Sequence, residues 1–213
     1  MKRSLRLNFR KEFGAASFKT DLFKKMPWNL PSTDSQDVLI LRAGNNRAWS
    51  RGWSEEKCSY CEDQLARQTQ LAASGYGMRG AFVHLYINGL YWGLYDVVER
   101  ADEHFTSGYF GGESEDWFAR NHGGTLSGSS TRYNYLTGTL KRKNMANAAN
   151  YEELKEYLDV EGSIDYLLVH WLTATSDWPS NNWYGANRKR IKKTDPALAR
   201  AEAWQSPPPP KKE

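Results

Sequence analysis

The chain of 213 residues carries 29 Lys and Arg against 25 Asp and Glu, a formal charge of +4, with 39% hydrophobic and 14% aromatic residues. That is enough apolar material for one large domain or two small lobes sharing a cleft, and it excludes a disordered chain. No apolar segment approaches the ~20 residues that span a bilayer, no apolar stretch follows Lys2, Arg3 and Arg6, and the basic excess is too diffuse for a nucleic-acid groove although it suits a polyphosphate ligand.

Residues 2–10 alternate, with Leu5, Leu7 and Phe9 on one side and Ser4, Arg6 and Asn8 on the other, which predicts a half-buried strand. The strand starts almost at Met1, so an upstream portion is expected. Gly14 marks a turn, and Pro27 and Pro31 bracket an irregular segment around Trp28. Residues 37–42 predict a short buried strand running into Ala43-Gly44-Asn45-Asn46, a tight turn by composition with a phosphate or metal contact as the alternative. The small and apolar positions from Glu55 to Ala73 predict a helix capped by Ser54 and stopped by Gly75 and Gly77. On that helix Cys58 and Cys61 would lie one turn apart as reduced thiols. With no second pair and no neighbouring His, their spacing is not read as a zinc site.

Residues 81–99 hold two runs of aromatic and β-branched residues joined by Asn88-Gly89, the signature of a two-residue hairpin turn. His84 reads as a packed strand residue. The charges Glu99, Arg100 and Asp102 at the strand's end either project into a cleft or are simply solvated. Residues 101–110 predict a short helix closed by Gly111-Gly112. The Gly-, Ser-, Thr- and Asn-rich segment 113–150, dotted with Trp117, Tyr133 and Tyr135, reads as a lid-like loop or an irregular connection. Two helices follow at 151–158 and 162–174, the second containing an apolar run at 164–172 that looks buried. The globular part is expected to end near residue 190, with 191–213, including Pro207-Pro208-Pro209-Pro210, as a disordered or extended tail.

Between the last helix and that tail lies Thr175-Ser-Asp-Trp-Pro-Ser-Asn-Asn-Trp-Tyr-Gly-Ala-Asn-Arg-Lys189, which gathers an acid, paired amides and basic groups and reads as an active-site loop. Pro179 cannot continue a helix. Asp177 and Asn182 have the Asp-x-x-x-x-Asn spacing of a protein-kinase catalytic loop, although Asp and Asn are also ordinary turn residues.

Five blocks in one order carry a resemblance: residues 2–10, Leu-Arg-Ala-Gly-Asn-Asn at 41–46, Asp-Gln-Leu-Ala-Arg-Gln-Thr-Gln-Leu-Ala at 63–72, Asn-Gly-Leu-Tyr-Trp-Gly-Leu-Tyr-Asp-Val-Val-Glu-Arg at 88–100, and Asp-Trp-Pro-Ser-Asn-Asn-Trp at 177–183. Together they resemble the CotH spore-coat kinase family over residues 2–189. The resemblance implies an α+β, atypical protein-kinase-like fold, with a strand-rich N-terminal lobe containing the hairpin, a helical C-terminal lobe, and ATP with Mg²⁺ between them. It implies that Asp177 orients the acceptor hydroxyl of a protein Ser or Thr and that Asn182, with Asn181, ligates the metal. Lys2 would contact phosphate, with Arg6 on the same strand competing, and Glu99 and Asp102 would face the nucleotide. The substrate class would be a coat or envelope protein, and the setting a spore coat or a secreted, envelope-associated one.

A kinase-like site also needs a second acidic metal ligand after the catalytic loop, and Asp195 is the one acid soon after it. The sequence from Arg190 onward departs from the family pattern, so a chain cut or shifted in frame near 190, with weak or no turnover, is expected. Two other readings stay open: a non-catalytic surface module that binds carbohydrate or protein through exposed aromatics, and a nucleotide-binding pseudokinase scaffold.

Overall fold

The computed structural model describes residues 2–24, 33, 35–44, 48 and 58–188. The expectations for Pro27, Trp28, Pro31, Asn45, Asn46, the Ser54 cap, Asp195 and the tail lie outside those residues. The chain divides into two compact units, Met1–Arg100 with Asp165–Ala174, and Ala101–Ile164 with Thr175–Glu213.

The first unit is built on a four-stranded antiparallel sheet. Its strands are β1 (Leu5–Asn8), β4 (Val38–Arg42), β5 (Gly80–Ile87) and β6 (Leu90–Glu99), in the order β1-β4-β6-β5, while β2 (Phe18–Lys19) and β3 (Ser35–Gln36) pair separately. Register explains the core. Leu5 faces Leu41, Leu41 faces Val97 and Val97 faces Ala81 across adjacent strands, so the odd-numbered residues share one side. Leu39, Leu41, Tyr95 and Val97 are buried there with Phe23 and Ala43, and Leu5, Phe9, Val83 and Leu85 pack against them. Each aliphatic side chain removed from water in this way contributes about 1.5–3 kcal/mol. Leu7, predicted to share this face, stays 37% exposed.

The hairpin forms as predicted. Asn88 and Gly89 have φ of 51° and 80°, which only such residues adopt readily, and this mirror-image turn matches the twist of the strands it joins. A bulge interrupts the pairing between Leu85 and Tyr86.

Helix α1 (Glu62–Ser74) is shorter than predicted. It starts at Glu62 with Cys61 as its N-cap residue, and it ends at Gly75, whose left-handed conformation lets its amide bond to the Leu71 carbonyl. Cys58 and Cys61 therefore do not share a helix face: Cys58 is buried ahead of the helix and Cys61 is exposed, both as free thiols. Tyr60, between them, has φ of 66° and so breaks any continuous helix there.

The second unit contains α2 (Glu103–Phe110), closed by Gly111, and the antiparallel sheet β8-β7-β9 of β7 (Trp117–Asn121), β8 (Gly124–Ser127) and β9 (Tyr184–Arg188). Two predictions change here. Segment 113–150 is not an irregular connection, because it holds the β7–β8 hairpin, α3 (Thr131–Asn134), a π-helical turn (Tyr135–Thr139) and the start of α4 (Ala148–Lys155). Residues 184–188, read as loop, are strand β9, paired to β7 with Tyr184 opposite Asn121 and Arg188 opposite Trp117. The small residues Gly185 and Ala186 had concealed it.

Helix α5 (Val160–Leu172) forms where expected, yet its apolar run is not buried. Val169 is covered, whereas Ile164, Leu168, Trp171 and Leu172 are 49%, 52%, 70% and 77% exposed.

Candidate active site

Helix α5 is followed by Ala174 in the left-handed region, and the chain then continues into the loop 175–183 of the second unit. The Asn181 amide donates to the Asp177 carbonyl at 2.9 Å, closing a turn. Asn182 adopts φ of 59°, which suits an Asn because its short side chain tolerates the left-handed region. In that conformation its side-chain amide donates to Oδ2 of Asp177. Asp177, Asn181 and Asn182 are all exposed. The sequence-predicted pair is thus brought together, with a carboxylate that solvent and ligand can reach.

Two anchors hold this loop within the unit. The backbone amide of Asn182 donates to Nδ1 of His122 at 3.3 Å, and His122 sits in the turn joining β7 to β8. Two residues further on, the Tyr184 hydroxyl donates to the Asp102 carbonyl at 2.8 Å and lies against the Thr106 hydroxyl. Burial pushes the Tyr184 phenol far above its ordinary value, so it remains a neutral donor. Trp183 stacks on Tyr133 at 5.9 Å, and the Arg120 guanidinium lies 4.3 Å from the Tyr133 ring on β7's side of the stack. Neither His122 nor this aromatic stack has a short-range signal in the sequence. His122 lies 60 positions from its partner and becomes visible only once β9 is recognised as a strand beside β7.

Asp102 is buried, and its carboxylate caps α2 by accepting the Phe105 amide at 3.0 Å. In the first unit, Glu99 is 1% exposed. Its carboxylate accepts the Arg79 amide at 2.8 Å and the Gln36 side-chain amide at 3.1 Å, with the Arg79 guanidinium 3.8 Å away. Lys2 is half-buried: its ammonium donates to the Tyr60 hydroxyl at 2.8 Å and to the Leu94 carbonyl, 4.0 Å from the centre of the Tyr95 ring. Burial lowers its pKa. Arg6 is exposed on β1 opposite Ile40.

The first unit also holds a charged cluster that the sequence does not announce. Arg67 of α1 donates to the buried Asp96 of β6, and Asp63, one turn earlier on α1, pairs with Arg42. Gln64 donates to the Gly80 carbonyl at 2.6 Å and accepts from Arg67 at 2.9 Å. Helix α1 is thereby fixed to the even-numbered face of the sheet, opposite the apolar core. Gly80 leaves room for these contacts, since a Cβ would stand 2.6 Å from Gln64 Oε1 and 3.0 Å from Asp96 Oδ1.

A family model described as CotH kinase protein matches residues 20–195, well over half of the chain. The chain belongs to the CotH kinase family. No curated protein and no solved structure matches it. Membership gives the chain a kinase-like function at family level, and the α+β composition of its two units agrees with the fold class that the sequence implies. No helix among the described residues is long and apolar enough to cross a membrane.

The Mg²⁺ that the family implies needs oxygen donors. Among the described residues no group of three or more His, Cys, Asp or Glu forms a cage. Mg²⁺ in phosphoryl-transfer sites takes one or two carboxylates, substrate phosphates and water, so the adjacent Asp177 carboxylate and Asn182 amide fit a sparse share of its shell.

Proposed function

We propose that the chain transfers the γ-phosphoryl group of ATP to a Ser or Thr hydroxyl of a protein, with Asp177 as the catalytic residue. The observation that supports this is the Asp177–Asn182 side-chain bond, which makes the kinase-like spacing a single exposed constellation. Asp177 accepts the proton of the acceptor hydroxyl as its oxygen bonds to the γ-phosphorus. The bond to the bridging oxygen breaks, and ADP leaves with that oxygen. Asn182, with Asn181 beside it, would offer amide oxygens to Mg²⁺, which when bound would supply charge neutralisation at the phosphates. Of Lys2 and Arg6, Arg6 is the cation left exposed for a phosphate contact, because Lys2 is occupied by Tyr60, Tyr95 and the Leu94 carbonyl. Glu99 and Asp102 act by holding their surroundings in place. The family points to a coat or envelope protein as the acceptor.

The test is a thermal melt of the chain with ATP, with and without Mg²⁺, followed by transfer from labelled ATP to a Ser- and Thr-containing protein. A ligand that binds only the folded state at a hundredfold excess over Kd adds about 2.7 kcal/mol, which appears as a raised midpoint. Nucleotide-dependent stabilisation without transfer would instead mark a pseudokinase scaffold. A melt indifferent to nucleotide would favour the second reading, a surface module. That reading has its own support in the hairpin, where Tyr86, Tyr91 and Trp92 are 61%, 54% and 53% exposed and His84 bonds Tyr91 at 2.9 Å.

A further inference from the structure

We infer that His122 is a positioning residue for phosphoryl transfer, acting by holding the Asn182 backbone in the conformation that turns its amide onto Asp177. This rests on the role proposed above for Asp177 and Asn182. The bond from the Asn182 amide to Nδ1 of His122 crosses from the catalytic loop to the β7–β8 turn, whose own position is fixed by the β7–β9 ladder. The Asn182 side chain reaches Asp177 from a left-handed residue, and a bond from its backbone amide to a group outside the loop restricts that conformation. His122 supplies that acceptor. Its ring must present Nδ1 with a lone pair and carry the proton on Nε2, since an N–H cannot donate to an N–H. The turn keeps the imidazole at hand: the Gly123 amide donates to the Asn121 side chain at 2.9 Å, and Gly124, with φ of 134°, returns the chain into β8.

His122 touches neither substrate nor metal in this scheme, so its removal should misplace Asn182 without emptying the site. Three full-length variants test it: His122→Ala, which removes the acceptor; His122→Asn, whose Oδ1 occupies nearly the same place and also accepts; and His122→Leu, which keeps the bulk without the acceptor. The expected result is a kcat about three- to tenfold lower in the Ala and Leu variants, with KM for the protein acceptor little changed and with recovery in the Asn variant. Amide hydrogen exchange gives a readout that needs no turnover: the Asn182 amide should exchange several-fold faster in the Ala and Leu variants and return toward the wild-type rate in the Asn variant. Equal exchange rates in all four proteins would overturn the inference at its first step. Altered exchange with unchanged kcat would overturn the positioning role while leaving the hydrogen bond. If the wild-type chain transfers nothing, the reading of Asp177 fails and the positioning role falls with it, whereas the exchange data still report the contact.

Discussion

Two polar groups of residues, one in each unit, hold their charges in opposite ways. In the first, Asp96, Glu99, Arg67 and Arg79 are buried, and each faces an oppositely charged partner. In the second, Asp177, Asn181, Asn182 and His122 are exposed and are held by hydrogen bonds among loop, turn and side-chain groups. A buried ion is costly to leave unpaired, so the first arrangement makes those residues part of the fold. An exposed carboxylate costs little to keep ionised and can exchange water for a ligand, so the second leaves its acid available for chemistry. Both groups contain acids that composition alone does not separate.

The largest effect should come from breaking the first arrangement. Glu99→Ala leaves the Arg79 guanidinium, the Arg79 amide and the Gln36 amide facing an apolar space, and removal of one partner from a buried pair costs about 3–5 kcal/mol. Chemical denaturation should show this as a lower midpoint at unchanged slope. A loss below about 1 kcal/mol would mean that water reaches the pair and that Glu99 is available for ligand after all. Asp177→Asn is the counterpart in the second unit. It should leave the melt within about 0.5 kcal/mol of wild type, as expected for an exposed position, while lowering transfer by about 10²–10⁴-fold. A variant that unfolded would place Asp177 among the structural charges and remove the contrast.

Smaller but diagnostic is Gly80→Ala. The added Cβ meets Gln64 Oε1 at 2.6 Å and Asp96 Oδ1 and the Arg67 guanidinium at 3.0 and 3.1 Å, so these side chains must give way and their bonding is disturbed. A cost of about 1–3 kcal/mol is expected in denaturant. Gln64→Ala in the same chain should recover part of it, since that removes the nearest clash. Absence of recovery would assign the strain to Asp96 and Arg67 instead.

How much of this was legible in the sequence depended on the range of the signal. The hairpin was, because Asn88-Gly89 and the alternation on either side of it are local. So was the apolar face of the first sheet, where the run from Val38 to Leu41 and the Val97–Val98 pair carry strand propensity themselves. The pairing of Asp177 with Asn182 was legible as a contact because their spacing is local too. Strand β9 was not, since Gly185, Ala186 and Asn187 have little strand propensity and become strand through pairing with β7. His122 was lost along with it. The start of α1 was misplaced because acidic residues at Glu55 and Glu56 resemble a first turn as well as Glu62 and Asp63 do. The roles suggested for Lys2 and Glu99 drew on resemblance, and no local pattern could show that one lies against Tyr60 and Tyr95 and the other under Arg79.

The subtlest prediction concerns whether burial or pairing dominates at Asp96. Burial pushes its carboxyl above the ordinary value, and the Arg67 guanidinium offsets this only in part. A carboxyl whose folded pKa lies above its unfolded one binds more protons folded than unfolded between the two. Its contribution to stability therefore rises as the pH falls through the folded value toward the unfolded one, near ~3.9, and is least favourable at neutral pH. Asp96→Asn has no such titration, so the stability difference between wild type and variant isolates it. As the pH is lowered from neutral toward 4, the stability difference should therefore shift in favour of wild type, because only the wild-type carboxyl takes up a proton that the folded state holds more tightly. If pairing with Arg67 dominated, the folded pKa would lie below the unfolded one, and the difference would shift against wild type on acidification below that unfolded value. Denaturation of both proteins at a series of pH values distinguishes the two by sign alone. A shift against wild type would make the Arg67–Asp96 pair a net source of stability and not merely the least costly way to keep both charges inside.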